Sequence, residues 1–540
     1  MTKKRLPPER LHLGWVLALV ALCLVTLSIQ FFHISGSVPY PYHIDEEAVI
    51  GPARKMLVTG NFHPSEFNYP SLPRYLAAAG LAVGFVRAAT EDSDVRPDIH
   101  QVGSVTYPYY GTPTAVETSK QLFAVLSVIV LAMTGVIAWH LTRRPETVII
   151  GPAILVASEL FFRHSWQYLN VDIVGTCFVV LTLASCLSMT TRSSVARLAV
   201  VPAVWAGLAA ASKYTLGLVF LPVLLGIWMY QEGDRRILSF GIALATVSVS
   251  FLIATPFALL DLPAFLNGLA FDAWHYGAAG HVGFNDEPGL AQLRNYATHL
   301  MNEFGLTGAV FATVGSVAVF RLDWRRGLLL FSFPVLLVTL LAGQRVIFMR
   351  NALPLHPLYA VAIGYGFIVM YGWCMRWLTR WSQRLGGLVG KAVILFALIA
   401  LALPVNRIVE HASVTPDSRN LARDWILQNL PDGWTIVIPS KLGFDIRGLA
   451  DRDFLIEEVD VTTLQEQKDM LELVKGPVVA LVPVWGMDER FGVTVSPDVM
   501  NATISGKRTL AEFGSNPVLI NYGQATAWGD PRLIIVAPFR

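Results

Sequence analysis

Residues 41–64 read PYHIDEEAVIGPARKMLVTGNFHP and follow directly on the first long apolar run of the chain. They set three consecutive carboxylates, Asp45, Glu46 and Glu47, at the mouth of that run. The rest of the sequence avoids charge: of 540 residues, 54% are hydrophobic and 15% charged, with a net charge of +2, and the mean hydropathy is +0.51. Soluble domains carry less apolar and more charged residue than this, so the chain reads as a polytopic membrane protein, and nothing in it points to a nucleic-acid partner. Cys23, Cys177, Cys186 and Cys374 all fall in apolar runs without metal spacing and read as packing residues. The N-terminus has the basic flank of a signal peptide, but its apolar run is too long and no small-residue cleavage site follows, so it reads as an uncleaved first span.

A helix needs about 20 mostly apolar residues to cross a bilayer, fewer where neighbours shield it. Working outward from the carboxylates, spans are expected at 14–33, 120–141, 147–162, 171–190, 197–212, 214–231, 237–258, 303–321, 328–343, 353–375 and 388–404, about eleven crossings. The stretch YLAAAGLAVGFV at 75–86 is short, is followed by a polar loop, and reads as an interfacial helix. With these spans every second connection is basic: TKKR at the start, Arg143–Arg144, Arg192 with Arg197, Arg235–Arg236, RLDWRR at 321–326 and RWLTRWSQR at 376–384. The positive-inside rule then places the N-terminus in the cytoplasm. It leaves 34–119, 163–170, the Lys213 turn, 259–302, 344–352 and everything after about 405 outside. In the last region SRNLARDWILQNLPDGWTIVIPS reads as helix, turn and strand, LQEQKDMLELVKGPVVALVPV as helix and strand, and PRLIIVAPF as a final strand, giving a small extracytoplasmic α/β domain. The GYG at 364–366 lies inside a span, where glycine permits close helix packing.

The unusual polar residues converge on that outer side: Asp45 to Glu47, RHSWQYLNVD ending at Asp172, Lys213, and GQRVIFMRN with Arg345 and Arg350. Ionisable residues at the membrane are costly unless they pair, reach water or serve a site. Plainer roles exist for each. Asp45 is placed to N-cap an interfacial helix, Asp172 to cap the fourth span or pair with Arg163, and the basic residues to snorkel. His275 and His281 are spaced as a weak metal pair, with ordinary hydrogen bonding the simpler account.

The stretch HIDEEAVIGPARKMLVTGNFHPSEFNYPSLPRYL resembles the first outer loop of the protein mannosyltransferase and aminoarabinose transferase superfamily, the GT-C fold. The shared elements are Asp45-Glu46 after the first span, ARKMLVTG, and NYPSLPRYL. RHSWQYLNVD, ASKYTLGLVFLP, TPFALLDLPAF and RVIFMRNALPLHP match in the same order over roughly the first four hundred residues. The resemblance implies an all-α polytopic domain over 1–404, with a first outer loop at 34–119, and leaves 405–540 as the α/β domain. It also implies an integral inner (plasma) membrane glycosyltransferase that takes sugar from a polyprenyl-phosphate donor and passes it, with inversion, to a hydroxyl of a glycan, lipid or protein.

By the same resemblance Asp45 is the general base, Glu46 shapes the acceptor site and Asp172 supports acceptor or donor. Lys213, Arg345 and Arg350 are the candidates for the donor phosphate, and Tyr69, Arg163, His164 and His281 for further substrate contacts. No cofactor is assigned; a divalent metal ion is left open, because its use varies across the fold and no ligand set stands out. Two departures narrow the match. FNYPS replaces the Glu-Lys pair of the aminoarabinose transferases, which weakens a lipid A acceptor, and neither the luminal β-trefoil repeats of eukaryotic mannosyltransferases nor the WWDYG signature of oligosaccharyltransferases is present. A lipid-linked-glycan flippase is the rival, with a non-catalytic glycan-binding subunit third. Against a transporter, the charges cluster at one surface rather than the midplane, and no inverted repeat is evident.

Overall fold

Long runs of Leu, Val, Ala and Ile leave the backbone no polar partner but itself, and a helix meets that demand internally. The computed structural model describes residues 12–91 and 112–381 apart from 39, 41, 282 and 283, and then 416–483 apart from 440–443, 445–448, 450–451 and 460–463, with 507–514, 519–521, 524–526 and 532–538. Helix α1 (Leu13–Ser37) is followed by the loop helices α2 (Ile44–Thr59) and α3 (Leu72–Glu91), then by α4 (Pro113–Thr142). After these come α5 (Thr147–Val156), α6 (Glu159–Trp166), α7 (Val171–Leu187), α8 (Val201–Ser212), α9 (Phe220–Tyr230) and α10 (Gly233–Ala254). The short α11 (Phe257–Leu260) and α12 (Leu262–Trp274) lead to α13 (Leu290–Leu322), α14 (Trp324–Ala342) and α15 (His356–Trp381).

Among the described residues, six helices are long and apolar enough to cross a membrane, or seven if a bent pair counts as one span. Three shorter apolar helices, Val171–Leu187, Ala196–Ser212 and Tyr214–Tyr230, complete the expected segments up to 353–375. The segment 388–404 lies outside the described residues. The stretch expected as one span at 147–162 is instead α5 and α6, bent by 75°. Ser158 makes the break: its hydroxyl accepts the Phe161 N–H at 3.2 Å, starting a new helix, and donates to Glu303 Oε2 at 2.9 Å. Gly305, at φ 74°, likewise interrupts α13, so its first turns leave the direction of the apolar part.

Beyond 416, α16 (Ser418–Asn429), β1 (Thr435–Pro439), β2 (Leu455–Val459), α17 (Leu464–Glu472), β3 (Val478–Pro483), β4 (Lys507–Phe513), β5 (Leu519–Asn521), β6 (Gln524–Thr526) and β7 (Leu533–Pro538) follow. The main sheet has the order β2-β1-β3-β7-β4. Its parallel half, β2-β1-β3, meets antiparallel β7 and β4, while β5 and β6 form a separate ribbon. Strands β1, β3 and β7 bury Ile436, Val437, Val479, Leu481 and Ile535 in a core of their own.

Helix α15 starts beside the polar residues considered below, and glycine brings it against α13. A Cβ at Gly315 would lie 1.9 Å from the Ala362 carbonyl oxygen, and one at Gly366, in the GYG stretch, 1.8 Å from that of Phe311. Backbone stands on both sides, so neither helix can yield without separating. Gly315→Val and Gly366→Val are each expected to cost about 1–3 kcal/mol or more, read as a fall in the thermal unfolding midpoint in detergent. Gly372→Ala, with nothing within 4 Å of the new Cβ, is expected to leave the midpoint equal or higher.

Candidate active site

His43 decides where the three carboxylates point. Its backbone is extended and its Nδ1 accepts the Asp45 N–H at 3.1 Å, so His43, not Asp45, is the N-cap of α2. Asp45, Glu46 and Glu47 all fall in the first turn, where the helix dipole favours negative charge. Consecutive residues of a helix are about 100° apart, and the three side chains accordingly diverge. Glu47 is exposed, with Arg54 at 4.0 Å. Glu46 is 1% exposed; it pairs with Lys120 Nζ at 3.1 Å and accepts the Tyr42 N–H at 3.1 Å. Asp45 faces a narrow cleft and forms an ion pair with Arg350.

From Asp45 the charges alternate. Arg350 Nε lies 3.8 Å from Asp172 Oδ2. Lys213 Nζ donates to Asp172 Oδ1 at 2.6 Å and to Asn351 Oδ1 at 2.6 Å. Asp172 is free for this role because Asn170 caps α7, its Oδ1 accepting the Ile173 N–H at 2.8 Å. The alternatives open to Asp172 in the sequence, a cap or a bond to Arg163, are therefore not used; Arg163 is exposed and pairs with Glu159 in its own helix. Lys213 sits where α8 ends and the backbone turns extended, ahead of a 3₁₀ turn at Tyr214–Val219. Arg350 and Asn351 open another, Met349–Leu355. The cleft is completed by Val49, Tyr69, Tyr168, Asn170 and Val171.

Several expected members lie elsewhere. Glu46, expected to shape the acceptor site, does not line the cleft and is paired, buried, with Lys120. Arg345 is separated from Lys213 and Arg350: its Nη1 donates to the Ala278 carbonyl at 3.1 Å, and it lines a second, open cleft of about 390 Å³ with Gly277, Asn285, Asp286, Glu287 and Pro288. His164 lies just behind the cleft, its Nε2 2.7 Å from Tyr168 Oη. His281 is one ring away, edge-on to Phe348 at 5.2 Å, and Phe348 in turn underlies the Arg350 guanidinium at 4.4 Å. His275 and His281 meet as rings at 5.3 Å. Among the described residues, no group of three or more His, Cys, Asp or Glu is arranged to hold a metal ion.

Lys120, Asn351, Tyr168 and Asp272 were not singled out by sequence. A lysine opening an apolar span was the available signal for Lys120. Asp272, on α12, is pushed up to about 7 by burial, with Lys213 opposing the shift; a lone aspartate in a half-apolar helix carries no such message in sequence.

Residues 114–259, which include Asp172 and Lys213, match the family model described as dolichyl-phosphate-mannose-protein mannosyltransferase. The crystal structure of ArnT from Cupriavidus metallidurans in the apo state is similar over 98% of this chain and 99% of that one, with a TM-score of 0.50 at 14% identity. The chain therefore has an ArnT-like GT-C fold. A second GT-C structure, the oligosaccharyltransferase from Archaeoglobus fulgidus in the apo form, is similar over 87% of this chain and 69% of that one, with a TM-score of 0.50 at 11% identity. No curated protein matches the sequence.

Within this GT-C chain, burial raises the Asp45 carboxyl, but Arg350, the His43 imidazole 3.2 Å from Asp45 Oδ2, and Lys213 outweigh it and bring it from 3.8 down to about 2. A depressed acid stabilises the fold above its ordinary value and loses that contribution as pH falls through the folded one. Asp45 is therefore expected to contribute about 2 kcal/mol at neutral pH, lost between about pH 4 and pH 2. Unfolding of the detergent-solubilised protein across that window tests this, with a steeper loss in wild type than in Asp45→Asn; equal slopes would mean an Asp45 of ordinary acidity.

Proposed function

We propose that the chain is a membrane glycosyltransferase that moves a sugar from a polyprenyl-phosphate-linked donor to an acceptor hydroxyl on a glycan, lipid or protein, with inversion. The observation that carries this reading is Asp45, ionised and facing a cleft beside Arg350, with the Asp172–Lys213 pair adjoining, in a GT-C fold. The family model matched by 114–259 is named for a dolichyl-phosphate-mannose donor, which supports a donor of that class. We further read 1–404 as the catalytic membrane domain and 405–540 as extracytoplasmic. The basic connections support a cytoplasmic N-terminus and a cleft on the outer face of the inner membrane.

In the reaction the acceptor oxygen attacks the anomeric carbon, its proton passes to the Asp45 carboxylate, and the bond from that carbon to the phosphate oxygen breaks. The lipid phosphate keeps the electron pair. Its added negative charge needs cations already in place, and Arg350 and Lys213 are those nearest the cleft. A carboxylate held near 2 is a weak base. A donor phosphate that takes over Arg350 weakens the Asp45–Arg350 pair, so donor binding itself raises Asp45 toward useful basicity. Tyr69 and Tyr168 line the cleft beside Asp45, and Asp172 holds Lys213 in position. Arg345, Arg163 and His281 are left outside this core.

The test is transfer of radiolabelled sugar from extracted polyprenyl-phosphate sugars to an envelope extract in liposomes. Asp45→Asn is expected to lower kcat by about 10²–10⁴, and Lys213→Ala or Arg350→Ala by about 10²–10³. Full transfer by Asp45→Asn would overturn its assignment as base. Label crossing the bilayer unchanged with both wild type and Asp45→Asn would favour a flippase.

A further inference from the structure

The C-terminal region reaches the carboxylates through one buried cation. Helix α1 ends at Ser37, and the carbonyls of its last turn have no partner within the helix. α16 and the residue before it supply donors: Asp417 N–H donates to Gly36 O at 3.0 Å, and Asn420 Nδ2 to Gly36 O and Val38 O at 3.4 Å each. Arg419 lies at the same contact, 1% exposed. It donates to the buried Asp417 carboxylate from Nε at 2.8 Å and Nη2 at 3.0 Å, and its guanidinium stands 3.7 Å from the centre of the Tyr40 ring.

Withdrawing a charged fork this fully from water is costly unless each group is answered, and here an acid and an aromatic face answer it. The contacts continue inward. The Tyr40 carbonyl accepts Lys120 Nζ at 3.3 Å, and Lys120 is the partner of Glu46, which also accepts the Tyr42 N–H. Glu46 is the next residue to Asp45 on the first turn of α2, so the rotation of that turn aims both.

We propose that Arg419 is a positioning residue for the reaction: by clamping Tyr40 it fixes the Lys120–Glu46 pair, and with it the turn that presents Asp45 to the cleft. The part concerning turnover rests on the glycosyltransferase reading; the clamp itself does not. Misplacing a reacting group by about 1 Å costs about 10²-fold in rate, so a clamp acting at this distance registers in kcat rather than in donor affinity.

Full-length protein in nanodiscs, as wild type, Arg419→Gln, Arg419→Lys and Tyr40→Leu, tests it by two readouts. Tyr40→Leu removes the ring and leaves the Arg419–Asp417 pair intact, so it serves if Arg419→Gln fails to fold. Hydrogen exchange is expected to accelerate by about tenfold or more over residues 40–50 while α7 and α13 keep wild-type protection. In the transfer assay kcat is expected to fall by about tenfold or more with donor KM changed less than about threefold, and Arg419→Lys to recover part of the loss. Unchanged exchange over 40–50, loosening of all helices alike, or full turnover by Arg419→Gln and Tyr40→Leu overturns the proposal while leaving the glycosyltransferase reading intact. If the wild type itself transfers no sugar, that reading fails, and the exchange pattern still decides the clamp.

Discussion

Four buried or half-buried charges in alternating order, Asp45, Arg350, Asp172 and Lys213, are the constraint around which the polar face of the bundle is arranged. Each ion withdrawn from water carries a penalty of several kcal/mol, and only an opposite charge at contact distance offsets it. The four come from the start of α2, a 3₁₀ turn before α15, the start of α7 and the end of α8, so meeting that demand ties together segments far apart in the chain. The local geometry follows from the same demand. His43 and Asn170 take the capping duties, which leaves Asp45 and Asp172 free to accept from cations. The bend at Ser158 turns α6 so that the loop after it carries Tyr168 and Asn170 to the cleft.

That the polar residues gather on one face was legible in sequence, because an apolar chain keeps so few ions that their positions stand out between spans. Their pairing was not. Lys213 meets Asp172 across 41 residues, and no periodicity announces a contact made by packing α7 against α8. Arg345 and Arg350 stand in one short motif and look equivalent, yet the chain turns between them: Arg345 belongs to the bridge at Asn285–Val346 and Arg350 to the following 3₁₀ turn. The capping choice was equally hidden, since His43 is a poor capping residue by composition and wins only because its extended backbone brings Nδ1 to the Asp45 N–H. In the C-terminal region the helix, turn and strand order was readable from the Pro-Asp-Gly signal and apolar runs. The docking of α16 on α1 was not, because it depends on a buried arginine that in sequence resembles any surface residue.

The adjacent carboxylates Asp45 and Glu46 show how one helical turn separates two kinds of work. Glu46 is buried against Lys120 and lies outside the cleft, so its charge is spent on holding the turn. Asp45 lines the cleft and keeps about a quarter of its side chain exposed, 26%, so its partner can be exchanged. An anion entering the cleft competes with Asp45 for Arg350, and it gains most where the carboxylate is most easily solvated. On the glycosyltransferase reading proposed above, the ladder answers a donor phosphate directly: the Coulomb attraction that Arg350 exerts on Asp45 passes to the incoming phosphate. On the same reading, the buried Lys120–Glu46 pair beside it holds the turn in place, so that loosening Asp45 from Arg350 changes its basicity rather than its position.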